Sequence, residues 1–462
     1  MKSSCPVYPK PLKDKASLLY TFFKKRNSWL DGIYERSYRM KMGHIKLPGL
    51  EIFMLNQPEL VKQVMVDDPE HFPKHDLLGD ILEPLLGESI FTTNGAQWRK
   101  QRDMLDVSFD NARVEQVFDR MQDAAARMLS RLGAYADGAV VDVDPEMTLV
   151  TADIIFRTIM SSSLDAAEAQ AVLEAFVRFQ KASPKLAMLN MFGVPDNWLL
   201  RLSDHKRRDD AKLIRRSLEK VIRPRYDAFR RGEIDASDDI LSSILRAKDP
   251  DSHQGFSFDE IVDQVAMLFL AGHETSASAL TWTLYLLAIS PDIQQAVAEE
   301  VALILGDDKG AVPLAAVKKM SLLRRVFMES MRLYPPVGFL ARQVTKSVSM
   351  RDKQVAKGAL LVISPWLLHR HRELWDVPDE FCPERFDPKS EGRGVPKNGY
   401  LPFGMGARVC IGATFAMQEA ILILAELLRR YRFELAPGFQ PDPVGRLTIR
   451  SENGMKLVMS RR

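Results

Sequence analysis

Cys410 stands in the run Phe403-Gly404-Met405-Gly406-Ala407-Arg408-Val409-Cys410-Ile411-Gly412, and an amphipathic helical pattern follows over residues 413–429. A cysteine just ahead of a helix faces the positive end of its dipole and backbone N–H groups without intrahelical partners, which favours the thiolate. Such a thiolate can ligate a metal; the plainer reading is a buried structural cysteine. Cys5 and Cys382 have no comparable surroundings. A second set, Ala271-Gly272-His273-Glu274-Thr275, lies halfway along a long helical stretch. A carboxylate beside a hydroxyl on a buried helix can hold and pass protons. Thr275 taken alone reads more simply as bonding back to the Ala271 carbonyl and bending the helix. His273 has no histidine or cysteine partner nearby and reads as structural, and Pro73 between His71 and His75 disfavours the helix those two would need to share a metal.

Two further pairs share a helix face. Glu329 and Arg332 are three apart, with Tyr334-Pro335-Pro336 ending the helix, and Trp98 and Arg102 are four apart. The first spacing carries little by itself, since Glu426 and Arg429 repeat it. Context separates them: Pro383-Glu384-Arg385-Phe386 follows the first pair, and then comes the cysteine run. In this order the motifs resemble those of the cytochrome P-450 superfamily, and the resemblance covers about residues 43–458.

That resemblance implies a haem-thiolate monooxygenase. Cys410 would be the proximal ligand of the iron of haem b, with Ala271, Gly272, Phe403 and Gly412 against the macrocycle. Gly406 and Gly412 would let backbone approach the flat ring, and Gly272 would leave room for dioxygen. Glu274 and Thr275 would form the acid-alcohol pair that delivers protons, the carboxylate linking to solvent. Haem carries two propionates, so fixed donors should converge on them; Trp98, Arg102, Arg342 and Arg408 are the implied set. Glu329, Arg332 and Arg385 would form a structural ion network that holds the scaffold of the cysteine loop.

The elements that must position these residues are mostly helical. The helix carrying Glu274 starts at a capping box, Ser257 with Glu260, and can run to Ser290 before Pro291 opens the next element. Residues 265–270 are apolar on every face, which calls for burial in a large core. Residues 94–245 read as amphipathic helix broken at 133–138, 183–184 and 193–197. Strands are confined to a hairpin at 44–47 and 50–55, with a helix from Pro58 to about Val66, and to a C-terminal hairpin of 447–450 with 455–459 about Asn453-Gly454. The expected fold is mainly α with a minor β region, the haem lying between the long central helix and the cysteine-loop helix. Residues from Trp98 to Gly412 must surround one cofactor, so residues 1–462 are expected to form a single haem domain rather than the three that length alone suggests.

Composition sets the remaining limits. Hydrophobic residues make up 46% of the 462 and charged residues 27%, ample for a globular core. A net charge of +3 and the lack of a basic block exclude nucleic acid as an expected partner. Three cysteines in a long chain fit a reducing compartment, and no apolar run approaches a membrane span, so a soluble cytoplasmic protein without a transmembrane anchor is expected. The chain ends soon after the last hairpin, with no room for a fused reductase module. Electrons are therefore expected from a separate ferredoxin or flavodoxin-type donor with an NAD(P)H-dependent reductase, and Arg99 and Lys100 could help a basic face attract an acidic ferredoxin. By family position the substrate walls fall at 77–91, 188–192, 269–271, 337–340 and the final hairpin, rich in Leu, Met, Phe and Ile. Dioxygen and a lipophilic small molecule, such as a fatty acid or a terpenoid or carotenoid, are the implied substrates. Two rivals are a peroxide-using or non-oxygenating member of the family and a non-catalytic haem sensor or carrier; retention of Glu274 and Thr275 argues against both.

Overall fold

The computed structural model describes residues 6–13, 28–47, 49–161, 171–172, 174–179, 198–233, 237–306, 310–390 and 394–462. Its longer helices are α1 (Asp76–Leu86), α2 (Gly95–Asp106), α3 (Phe118–Gly133), α4 (Val143–Met160), α5 (Trp198–Arg230), α6 (Phe258–Ala288), α7 (Pro291–Leu305), α8 (Ser321–Leu333) and α9 (Ala413–Leu428).

The capping box forms as the sequence predicts. The Ser257 hydroxyl accepts from the Glu260 N–H at 3.3 Å, and Glu260 Oε2 accepts from the Ser257 N–H at 2.8 Å. From that start α6 runs 31 residues, about 46 Å at the usual rise. Residues 265–270 are buried on all sides, because α4, α5, α8 and α9 pack around α6. The resulting core is continuous from Leu30 to Met459, with a second cluster under the main sheet. Two of the helix breaks expected from sequence, at 183–184 and 193–197, lie outside the described residues, as does Cys5.

That sheet has the order β1 (Met42–Leu47), β2 (Leu50–Leu55), β7 (Leu360–Ile363), β4 (Leu340–Gln343), with β5 (Val348–Met350) and β6 (Lys353–Val355) forming a separate antiparallel pair. The β1–β2 hairpin is the expected one, while β2 pairs parallel with β7 through a connection that no local pattern announces. The helix after β2 is α-helical over Pro58–Lys62 and then widens to a π turn over Gln63–Asp67.

The C-terminal hairpin expected from Asn453-Gly454 does not form. Strand β10 (Ile449–Ser451) pairs with β9 (Pro443–Gly445), and β11 (Lys456–Arg461) pairs with β3 (Ala139–Asp142) and β8 (Tyr431–Leu435). The Asn453 side chain explains the difference: its Oδ1 accepts from the Asp442 N–H at 3.1 Å and its Nδ2 donates to the Gln440 carbonyl at 3.0 Å. The turn is thereby tied to the preceding loop and carries the chain from one sheet to another. Strand β3 was also unexpected within a helical stretch; four residues become a strand there because β11 supplies the ladder.

Candidate active site

A cavity of about 380 Å³ opens between α6 and the cysteine loop. Cys410, Thr275, Ala271, Gly272, Trp98, Arg102, Arg342, Phe403, Arg408, Gly412 and Glu274 all line it, so the structure brings together the residues that the sequence scattered over three hundred positions. Glu329, Arg332 and Arg385 lie outside it, as expected of a scaffold.

The cysteine loop is shaped by two glycines at positive φ, Gly404 at 74° and Gly406 at 70°. The Cys410 N–H donates to the Phe403 carbonyl at 2.8 Å, closing the loop. A side chain on Gly406 would place its Cβ 2.0 Å from the Met65 carbonyl of the π turn. Gly406 is therefore required by backbone packing rather than by approach of a macrocycle, which corrects the sequence expectation; Gly412 meets no atom within 4 Å and does leave the cavity side open. Cys410 is accessible, and the surface it lines is that of the cavity. Burial beneath it pushes the thiol up, while the Gly412 N–H and Arg102 act the other way. The helix start alone thus does not secure a thiolate; a bound metal, which deprotonates a coordinating thiol, does. Cys382 lies outside the cavity lining, with Sγ 3.4 Å from Glu384 Oε2.

Cations converge on one wall. Arg342 and Arg408 are each held down at about 10, chiefly by burial and for Arg408 also by Arg342. Lys74, which the sequence did not single out, is likewise lowered by burial, then by both arginines. Its Nζ donates to the Ile90 and Phe91 carbonyls at 2.6 and 2.7 Å, and an isolated bridge sets it beside Arg342. Arg408 stacks over the Trp98 ring at 4.2 Å and donates to Asn94 Oδ1 at 3.0 Å, yet its Nη1 is buried without a partner. Among the described lining residues the only carboxylate is Glu274, which is paired elsewhere. Three desolvated cations and an orphaned guanidinium nitrogen call for a doubly anionic group, and the propionates of haem b meet that need. The residues therefore fit the cofactor. Arg102, which also lines the cavity, donates to Asp106 Oδ1 and to the Val409 carbonyl, both at 2.7 Å, and so fastens α2 to the cysteine loop.

On α6 the Thr275 hydroxyl donates to the Ala271 carbonyl at 2.6 Å, the simpler of its two readings, while also bordering the cavity. Glu274 is locked. Its Oε1 accepts from Thr448 at 2.6 Å and from Arg450 Nε at 3.0 Å, and its Oε2 from Arg450 Nη2 at 2.9 Å. Burial alone would raise this carboxyl, but Arg450 outweighs it and holds Glu274 at about 2. Rather than linking to solvent, Glu274 is a fixed anion joining α6 to β10, and through Arg450 to Asp144 of α4 at 2.7 Å. Gly272 borders the cavity, but a Cβ there would sit 2.4 Å from Ile155 Cδ1, so its missing side chain admits α4 rather than dioxygen. His273 is buried, with Nδ1 2.7 Å from the Phe269 carbonyl and its ring stacked on Phe269, a structural histidine as expected. His71 pairs with Asp68 at 2.6 Å, while His75 lines the cavity, so the two share no site.

The ion network reaches the cysteine loop by one identifiable route. Arg332 makes a bidentate pair with Glu329 at 2.7 and 2.8 Å, and Arg385 Nε reaches Glu329 Oε1 at 3.3 Å, all buried. Arg332 also donates to the His369 carbonyl at 2.8 Å, and His369 Nε2 accepts from the Leu401 N–H at 2.9 Å, where the loop begins. Burial and the neighbouring Arg332 and Arg370 hold that imidazole at about 3, keeping it neutral and able to accept.

Apolar walls complete the cavity: Leu86, Ile90, Leu270, Val337, Leu340 and Leu447 come from four of the five predicted segments. The fifth, 188–192, lies outside the described residues. Phe269 instead packs on Phe156 and His273. Arg99, on the outer surface, pairs with Glu70 at 3.0 Å.

A family model described as Cytochrome P450 matches residues 21–457. Cyclooctatin synthase of Streptomyces melanosporofaciens is 32% identical over 414 residues, covering 88% of this chain and 85% of that protein. A cytokinin hydroxylase of Arabidopsis thaliana is 30% identical, covering 88% of this chain and 78% of the relative. The Arabidopsis protein LUTEIN DEFICIENT 5, chloroplastic, is 27% identical, with 88% and 70% covered.

Proposed function

Because the chain belongs to the cytochrome P450 family, and is thus a monooxygenase that uses haem b on a cysteine thiolate, we propose that Cys410 is the iron ligand of a single haem domain that hydroxylates a lipophilic substrate. The observation that carries this is the cavity itself, where Cys410 meets three uncompensated cations and an apolar wall. In this reading Lys74, Arg342 and Arg408 hold the propionates, Trp98 carries the Arg408 guanidinium on its face, and Arg102 fixes the backbone next to Cys410. Haem bound there supplies dioxygen activation, with electron donation from the thiolate favouring O–O cleavage. Thr275 borders the cavity with its hydroxyl bonded to the Ala271 carbonyl, and the apolar walls exclude water from the substrate.

Among the described lining residues the basic side chains are Lys74, His75, Arg102, Arg342 and Arg408. The apolar lining suits a lipophilic substrate, a fatty acid or a terpenoid or carotenoid. The similar proteins are named for chemically different small molecules, which supports the reaction class and not one substrate.

Dioxygen and a redox partner follow from the family. For the partner we propose a ferredoxin or flavodoxin-type donor, reduced by an NAD(P)H-dependent reductase. Among the described residues no helix is long and apolar enough to cross a membrane. The sparse cysteines support a cytoplasmic setting.

The deciding experiment is the difference spectrum of the reduced, carbon-monoxide-bound protein. The native chain is expected to show a strongly red-shifted Soret band that Cys410→Ser loses while still folded. Native, haem-loaded protein without that band would refute ligation by Cys410.

A further inference from the structure

Glu419 is a buried acid that the reaction described so far leaves idle. It lies on α9, the helix leaving the cysteine loop, and is fully buried. Neither carboxyl oxygen has a hydrogen-bond partner in the structure. An ionised carboxylate in such a place is strongly disfavoured, so burial pushes the Glu419 carboxyl up to about 8. The Ser276 hydroxyl pulls the other way; it stands outside strict hydrogen-bond geometry but close enough to favour the anion. At neutral pH the acid therefore keeps its proton.

Ser276 directly follows Thr275 on α6, is itself buried, and lines the cavity. Ser276 thus neighbours both the acid and the cavity. Glu274 offers no such supply, since Arg450 and Thr448 fix it as an anion.

We propose that Glu419 is a proton donor to the oxygen side of the cavity, acting through the Ser276 hydroxyl. This deepens the monooxygenase reading and rests on it. In the step, the Glu419 O–H bond breaks as its proton passes to Ser276 Oγ. The former Ser276 proton passes on toward the oxygen atom that leaves as water. Only protons move, and the Glu419 carboxylate regains one from solvent before the next turnover.

The test has two arms. Infrared difference spectra of haem-loaded protein at pH 7, native against Glu419→Gln, should show a protonated-carboxyl C=O band that only the native protein has. Absence of that band overturns the proposal. In the second arm, dioxygen uptake and hydrogen peroxide release are measured with an NADPH-driven ferredoxin system in H2O and D2O. Glu419→Gln and Ser276→Ala should keep the red-shifted carbon-monoxide complex. Each should raise the share of dioxygen released as peroxide by roughly threefold or more and enlarge the solvent isotope effect, with partial recovery in Glu419→Asp. Native peroxide share and isotope effect in both variants overturn it. Should Glu419→Gln fail to hold haem, Ser276→Ala decides by the same readings. A native protein without the carbon-monoxide signature refutes the family-level reading first, and the proposal with it.

Discussion

Glu274, which lines the cavity, and Glu419, which neighbours the lining residue Ser276, are both buried carboxyls, and their surroundings drive them in opposite directions. Arg450 lowers Glu274 to about 2 from an ordinary 4.5, so its ionised state stabilises the fold fully above pH 4.5 and that contribution is lost as pH falls toward 2. Glu274→Gln leaves Arg450 with Asp144 alone; it should cost about 3 kcal/mol at pH 7, as breaking a buried pair does, and flatten the loss of stability between pH 5 and 3. Urea unfolding across that range reads both. The Glu419 carboxyl is raised to about 8, so the sign reverses: its contribution is intact below pH 4.5 and is lost as pH rises toward 8. Glu419→Gln should therefore be more stable relative to the native protein at pH 8 than at pH 5, by on the order of a few kcal/mol. Equal differences at the two pH values would mean that the native acid is not protonated.

The cysteine loop takes its position from elements distant in sequence: the π turn under Gly406, α2 through Arg102, and α8 through Arg332 and His369. Glu329 neutralises two buried arginines, so its removal leaves both charges uncompensated. Glu329→Ala should cost about 3–5 kcal/mol and release the loop, seen as loss of the red-shifted carbon-monoxide band before global unfolding. Glu426→Ala provides the contrast. Its partners Arg429 and Arg430 are more exposed, so it should destabilise less and leave the band intact. A band that survives in Glu329→Ala would separate the network from the loop.

Across the whole molecule, the cofactor and the fold are energetically coupled. Lys74, Arg342 and Arg408 repel one another in a desolvated wall, which costs stability unless an anion is bound. Arg342→Gln should therefore weaken haem binding about tenfold or more, measured by transfer to apomyoglobin, while leaving the haem-free protein as stable or more so. The holo protein should gain about 4 kcal/mol from haem at a thousandfold excess over Kd, and the variant correspondingly less. Equal loss in both forms would make Arg342 a packing residue. The continuous core from Leu30 to Met459 is the reason a change at one wall can be read in global unfolding.

Local signals were enough for much of this protein. The capping box at Ser257, the all-apolar centre of α6, the helix end at Tyr334 and the β1–β2 hairpin each depend on neighbours within a few residues, and each formed as the sequence implied. The cysteine run and its companion motifs likewise located the residues around the cavity, because their spacing and order are local and cumulative. What the sequence could not carry was partner choice. Asn453 bonded to the loop before it instead of closing a hairpin, Ala139–Asp142 became a strand only because β11 lay alongside, and Gly272 proved to make room for Ile155. Lys74 carried no pattern of its own, and Glu274 received its fixed charge from an arginine 176 positions away. Periodicity and caps are properties of a segment, whereas desolvation and ion pairing are properties of a place, and only the folded chain creates the place.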